Sequence, residues 1–251
     1  MAATLLDITD GVARLTLNRP ERHNSLVPAL LDSLNTDLER IAANKDIRAV
    51  VLQAAGRSFS TGGDVAGFQA VPRGERRAYA AGLVGSLNRA ILALLGLTVP
   101  VIGRIHGPLT GGALGFLLAC DLVVITPQAF IQPYYTEVGF SPDGGWTAML
   151  PARIGYQQAR EIQLLNRRIM ALEAVQLGLA TTLAEPDSLD STIEGWLLEL
   201  RSKQPGSVAC TKRLLAQDCA AGLLAEQRAF VDQIDSAEAE AGMVRFLAKS
   251  A

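Results

Sequence analysis

The chain has 251 residues, of which 49% are hydrophobic and only 5% aromatic, with 23 Lys and Arg against 25 Asp and Glu for a formal net charge of −2. That apolar content excludes a disordered chain, and the length suits one sizeable domain with an appendage. The charge offers no basic field for nucleic acid, and Cys120, Cys210 and Cys219 with His23 and His106 lack metal-ligand spacing.

The first residues, MAATLLDITDGVARLTL, lack the basic-then-apolar order of a signal peptide, and the apolar stretch GGALGFLLACDLVVITP is interrupted by Asp121. A soluble, cytoplasmic protein without a membrane partner is expected. Along the chain, VARLTLN (Val12 to Asn18) alternates as a half-buried strand does, and the turn RPERHN follows. Leu26, Leu30, Leu31, Leu34, Leu38 and Ile41 then recur at mostly three- and four-residue steps, which predicts a helix. AVVLQAAG reads as a buried strand, RSFSTGGDV as a loop, Arg73 to Leu95 as a second long helix and VPVIGRIHG as another strand. After HGPLTGG, the run ALGFLLAC predicts a buried helix and DLVVITP the strand behind it. Beyond Pro151 the pattern is almost wholly helical, ending in SVACTKRLLAQ and AEQRAFVDQIDSAEAEAGMVRFLAKSA. The order predicts an α/β layered fold, with a mixed core over residues 1–190 and a helical C-terminal region over 191–251.

Three loops concentrate the chemistry. Gly62-Gly63 and Gly111-Gly112 each bring bare backbone N–H groups to the start of a helical or turn segment after a strand. Two such donors on one oxygen stabilise an enolate or tetrahedral oxyanion, and losing one costs about 3 kcal/mol of transition-state stabilisation. The third loop, GFSPDGGWTAML, sets Asp143 between a proline and two glycines. There it is either a helix-capping turn residue or an acid/base.

The series ARLTLNRPERHNSL, IRAVVLQAAGRSFSTGGDV, VPVIGRIHGPLTGGALGFLLACDLVV, GFSPDGGWTAMLPARIG and LLNRRIMALEAVQLGLA resembles, in order, the enoyl-CoA hydratase/isomerase (crotonase) superfamily. The resemblance implies a crotonase-like spiral of ββα units with a helical C-terminal trimerisation region, and assembly as a homotrimer or dimer of trimers. It also implies an acyl-CoA thioester substrate held in an oxyanion hole, with coenzyme A as part of the substrate and no separate cofactor. The two donors carried over are the backbone N–H groups of Thr61 and Gly112. Substrate contacts are expected from Arg22, near the CoA phosphates, and from Ser60, Asp64, Val65, Gly111 and Tyr135. Asp64 is at the same time read as a backbone-bonding turn residue.

Hydratases of this superfamily use two glutamates. Here the first position falls on Gly115 and the second on Tyr134 or Tyr135, and a phenol with a pKa near about 10 is a poor base at neutral pH. Asp143 instead resembles the acidic residue of ring-1,2-epoxyphenylacetyl-CoA isomerase and related enoyl-CoA isomerases, or the nucleophile of the 4-chlorobenzoyl-CoA dehalogenase branch, whose helix histidine falls on Asn88 here. An acyl-CoA isomerase with Asp143 as acid/base is therefore expected, and burial of Asp143 against Tyr135 or Trp146 would make it a better base. Glu137 is the rival carboxylate. Phe246 and Lys249 are tail residues that, as in relatives, could reach CoA on a neighbouring subunit. His106 with Ser60 and Asp121 is a weaker hydrolase alternative, and a CoA-thioester binder without chemistry is another. The acyl pocket is expected between Phe68 and Leu95.

Overall fold

The computed structural model describes residues 2–216 and 218–250. Gln217 and Ala251, the last residues of the two final predicted helical stretches, lie outside the described residues. Two strands open the chain, β1 (Thr4–Thr9) and β2 (Val12–Leu17), paired antiparallel. The strand β1 is an addition to the sequence reading, which starts at Val12. Its signal is Asp10-Gly11, both at positive φ (50° and 74°), the two-residue turn that closes a tight hairpin. Exposed Leu5 and Ile8 had blurred the alternation of this edge strand.

The helix α1 (Pro28–Ala43) follows, then β3 (Ala49–Ala54), the short α2 (Val65–Ala70) and the long α3 (Arg73–Gly96). Next come two similar turns of chain. β4 (Val101–Ile105), β5 (Pro108–Thr110) and α4 (Leu114–Leu118) form one; β6 (Leu122–Ile125), β7 (Phe130–Gln132) and α5 (Tyr135–Val138) form the other. Each turn gives its first strand to a large sheet and its second to a small one. The large sheet has the order β1-β2-β3-β4-β6-β9 and the small one β5-β7-β8, where β8 is Ile169–Met170 and β9 is Thr182–Leu183. From β2 onward the large sheet is parallel.

Between these strands lie α6 (Leu150–Ile154), α7 (Tyr156–Leu164) and α8 (Ala171–Gln176), and the chain ends in α9 (Leu189–Arg201), α10 (Pro205–Leu215), α11 (Ala220–Gln233) and α12 (Ala237–Ser250). Alternation along the strands divides the apolar residues. Ala13, Leu15, Leu17, Val50 and Leu52 face the main core with α1 and α3, whereas Val12, Ala49, Val51, Ile102 and Val124 face α9 through Leu189, Ile193 and Leu197. Ion pairs of Arg14 with Glu194 and of Arg104 with Asp190 (2.8 Å) fasten α9 over that second face. The division near residue 190 thus runs through the first turn of α9.

Two of the C-terminal helices shape the site. The helix α11 packs along α3, and α12 folds back onto α2 and α5 of its own chain. Gly139 and Gly242 permit the second contact, since a side chain at Gly139 would meet the Glu238 carbonyl at 2.9 Å and one at Gly242 would overlap the Val138 carbonyl. Buried Arg76 of α3 then binds Glu240 of α12 at 2.6 Å.

Candidate active site

A cavity of about 550 Å³ opens between the glycine loops, α3, α5 and α12. Its inner wall is apolar, built from Phe68, Leu83, Val84 and Leu87 with Phe140 and Phe230. These include the stretch from Phe68 toward Leu95 from which the sequence predicts the pocket.

The two glycine loops are locked to each other. Ser60 and Thr110 are joined by a backbone bond, Thr110 N–H donating to the Ser60 carbonyl at 3.0 Å, and Ser60 N–H donates to the Pro108 carbonyl at 3.2 Å. Gly62, at φ 74°, lies against the second loop, where a Cβ would stand 2.7 Å from the Thr110 carbonyl oxygen. Only a glycine fits that approach.

Asp143 lies at the inner end of this seam. It is buried, it lines the cavity, and its Oδ1 accepts a hydrogen bond from the Tyr135 hydroxyl at 2.5 Å. The same hydroxyl is 3.1 Å from the Asp143 carbonyl. The carboxylate rests on the glycine loop, since a Cβ on Gly112 would stand 2.7 Å from Oδ1 and 2.8 Å from Leu87 Cδ2. Burial pushes the Asp143 pKa up to about 7; the Tyr135 hydrogen bond opposes the rise and the charge of Glu226 adds to it. Tyr135 is itself held protonated, its pKa raised by burial and by the adjacent Asp143. Trp146 completes this floor, its indole N–H donating to the Gly111 carbonyl at 2.7 Å and its ring meeting Tyr135 edge-on. The expected burial of Asp143 against Tyr135 is thus present as a hydrogen bond, whereas Trp146 braces the glycine loop.

Local backbone explains why Tyr135 points inward. Tyr134 adopts a left-handed conformation (φ 64°), secured by its N–H donating to Asn166 Oδ1 at 2.9 Å, and α5 starts from that turn. Tyr134 lines the cavity and stacks edge-on with Phe246 of α12.

Two predicted positions are corrected. The Thr61 N–H is not an open donor: it donates to the His23 carbonyl at 3.1 Å, because His23 and Asn24 are both left-handed (φ 51°) and turn that carbonyl toward it. The turn is held by Asn24, whose side-chain amide donates to the carbonyls of Ala55 and Ser58. Two residues on, Gly63 lines the cavity, and no acceptor for its N–H is found among the described residues. Gly63, rather than Thr61, therefore offers an unpaired N–H at the cavity. Ser60, expected to contact substrate, is fully buried beneath the loop, its hydroxyl donating to the Asn24 carbonyl at 2.7 Å.

The other predicted positions fall as follows. Gly111, Gly112, Asp64, Val65, Arg22 and Tyr135 line the cavity. Asp64 also caps α2, accepting from Gly67 N–H at 3.2 Å, and stands 3.7 Å from the exposed guanidinium of Arg22 at the mouth. Glu137 is outside: it is exposed on α5 and pairs with Lys249 at 3.6 Å. Phe246 lines the cavity of its own chain. No hydrolase triad forms, since His106 Nε2 donates to the Gly56 carbonyl at 2.8 Å while Asp121 binds Lys212 at 2.6 Å. Asn88 is turned to α11, donating to the Leu223 carbonyl at 3.1 Å. A side chain at Gly115 would run into Ile91 and stand 2.8 Å from the Gly144 carbonyl, so the space a hydratase glutamate needs is already filled.

The sequence reading missed Glu226. This buried residue of α11 accepts from the N–H groups of Gly145 (2.8 Å), Thr147 (2.6 Å) and Ala148 (2.9 Å) and from the Thr147 hydroxyl (2.7 Å). Its surroundings, AEQRAF, read as an ordinary polar helix face. Gly63 had a signal, being the second glycine of the loop already singled out.

Residues 7–251 match the family model described as enoyl-CoA hydratase/isomerase. A Bacillus subtilis protein, YngF, which carries the name enoyl-CoA hydratase/isomerase, is 31% identical over 245 residues, covering 96% of this chain and 93% of its own. A 4-chlorobenzoyl coenzyme A dehalogenase-2 of an Arthrobacter species is 33% identical over 171 residues, 68% of this chain and 62% of that one. In three dimensions, the crystal structure of an enoyl-CoA hydratase from Bacillus halodurans covers 97% of this chain and 99% of its own with a TM-score of 0.91. At 24% identity that likeness speaks for the fold, which is the expected crotonase spiral with its helical C-terminal region.

Proposed function

The chain belongs to the enoyl-CoA hydratase/isomerase family, and within that family we propose that it is an acyl-CoA isomerase whose single acid/base is Asp143. The observation that carries this reading is a buried carboxylate that faces the cavity, lies on Gly112 and has a pKa raised to about 7. A group of that basicity takes and returns a proton near neutral pH.

In this reading the thioester carbonyl sits between the N–H groups of Gly112 and Gly63. Asp143 removes a proton from the α-carbon of a 3-enoyl-CoA, the two donors hold the dienolate oxygen, and protonated Asp143 returns the proton to the γ-carbon to give 2-enoyl-CoA. A ring-epoxide thioester would use the same groups, with the acid form assisting opening. Many relatives carry the name hydratase, yet the two-glutamate route has no counterpart at Gly115 or at Tyr134 and Tyr135. Dehalogenase chemistry is disfavoured because Asn88 is no base and its amide is engaged with α11.

The same reading takes coenzyme A as part of the substrate, with Arg22 at the mouth near its phosphates, and needs no metal or further cofactor. It places the enzyme in the cytoplasm as a trimer or dimer of trimers, in keeping with the exposed Leu164, Leu165, Leu172, Leu198, Leu214 and Leu215. The test is the conjugation absorbance on adding protein to a 3-enoyl-CoA. Asp143→Asn, folded by circular dichroism, is expected to lower the rate about 10³-fold. Full activity in that variant would overturn the role of Asp143, and thioester binding without turnover by the parent protein would overturn the isomerase.

A further inference from the structure

Asp143 is carried on a loop, followed by a run of turns over residues 144–149 rather than a long helix. Its carboxylate is nevertheless packed onto Gly112. Two side chains outside the glycine loops account for that fixity. Tyr135 occupies Oδ1 at 2.5 Å, and the backbone N–H of Asp143 itself also favours the ionised carboxylate. Glu226 gathers the N–H groups of Gly145, Thr147 and Ala148, two to five residues after Asp143. Gly144 lies between these anchors, pressed so closely on Gly112 that a Cβ would stand 2.5 Å from the Gly112 Cα.

We propose that Tyr135 and Glu226 are positioning residues for Asp143: Tyr135 holds the carboxylate through Oδ1, and Glu226 pins the turn that presses it onto Gly112. The proposal rests on the reading of Asp143 as acid/base. The two residues act on the carboxylate with opposite sign. A hydroxyl donating to Oδ1 favours the ionised form, whereas the negative charge of Glu226 disfavours it. Among the described residues they are the two titratable side chains that shift Asp143, one from α5 and one from α11. Tyr135 does not exchange its own proton, because burial and Asp143 keep the phenol protonated.

The experiment is the pH dependence of kcat/KM for 3-enoyl-CoA isomerisation, which reports the free enzyme's base. The parent rate should rise with pH through a midpoint near the raised Asp143 value of about 7. In Tyr135→Phe the rising limb should move up by about one pH unit, and in Glu226→Gln it should move down by about half a unit. Limbs that stay in place while activity falls equally at every pH would reduce both residues to structural supports and overturn the proposal. If Glu226→Gln does not fold, Thr147→Val removes one bond to the same carboxylate without changing charge; a lower kcat at unchanged KM is expected, and unchanged kcat overturns the role of Glu226. Carbon-13 NMR of protein labelled at the aspartate carboxyl, with Asp143→Asn for assignment, follows the same midpoints without any turnover. Opposite shifts there support the pair even if no 3-enoyl-CoA is isomerised, an outcome that sinks the isomerase reading alone; unmoved midpoints beside a working isomerase sink the pair alone.

Discussion

The two glycine loops look alike in sequence, TGGD and TGGA, and the fold uses them differently. The first, around Gly62 and Gly63, is braced by backbone: Thr61 is spent on the His23 carbonyl, Gly62 on the approach to Thr110, and Gly63 is left with an open donor and an ordinary flank. The second, around Gly111 and Gly112, is braced by side chains and by a third loop, with Asp143, Leu87 and Gly144 all against Gly112. A donor can be offered by any backbone that leaves one N–H unpaired, but the base must also be held at a fixed distance from it. The second loop is where both demands meet.

This difference can be broken by adding one carbon to each loop. Gly112→Ala is expected to lower kcat about 100-fold, because the methyl group displaces Asp143 or Leu87 from the reacting geometry. Gly115→Glu, three residues further on in α4, is not expected to restore a hydratase. It should cost about 3 kcal/mol or more of stability in urea unfolding, through overlap with Ile91 and the Gly144 carbonyl. Gly63→Ala should lose less than tenfold in kcat, since its Cβ meets only the edge of the Phe68 ring, at 3.2 Å, and its φ is not left-handed. The smallest effect belongs to Glu137→Gln, expected to change kcat/KM less than twofold because its carboxylate pairs with Lys249 outside the cavity. Equal losses in the two alanine variants would erase the distinction between the loops, and a large loss at Glu137 would return it to the chemistry.

Much of the frame was legible because it rests on local pattern. The alternation of VARLTL, the leucine spacing of α1 and the apolar strand AVVLQA each report one face of one element. The edge strand β1 was missed because its leucines are partly solvated, although its Asp-Gly turn was in plain view. At the site, Asp143, Gly112 and Tyr135 were legible as residue types in short motifs, and the absence of a carboxylate at position 115 needed only the letter glycine. At the first glycine loop the expected Thr61 N–H is already paired, and among the described residues the open one lies two residues on, at Gly63. Nothing in TGGD says which N–H is already taken, and the acceptor is a carbonyl 38 residues earlier, turned by the backbone of His23.

Sequence by itself determined the α/β order, the apolar core, the glycine loops and the lone aspartate in SPDGG, because these depend on side-chain period and on what one residue type can do. Tertiary structure alone decided that Gly63 rather than Thr61 is open, that Glu137 stands outside, that Glu226 holds the turn after Asp143, and that the tail covers its own cavity. Each of these is a matter of which partner a polar group finds across a long stretch of chain. Burial and hydrogen bonding between distant segments settle that, and no local spacing records them.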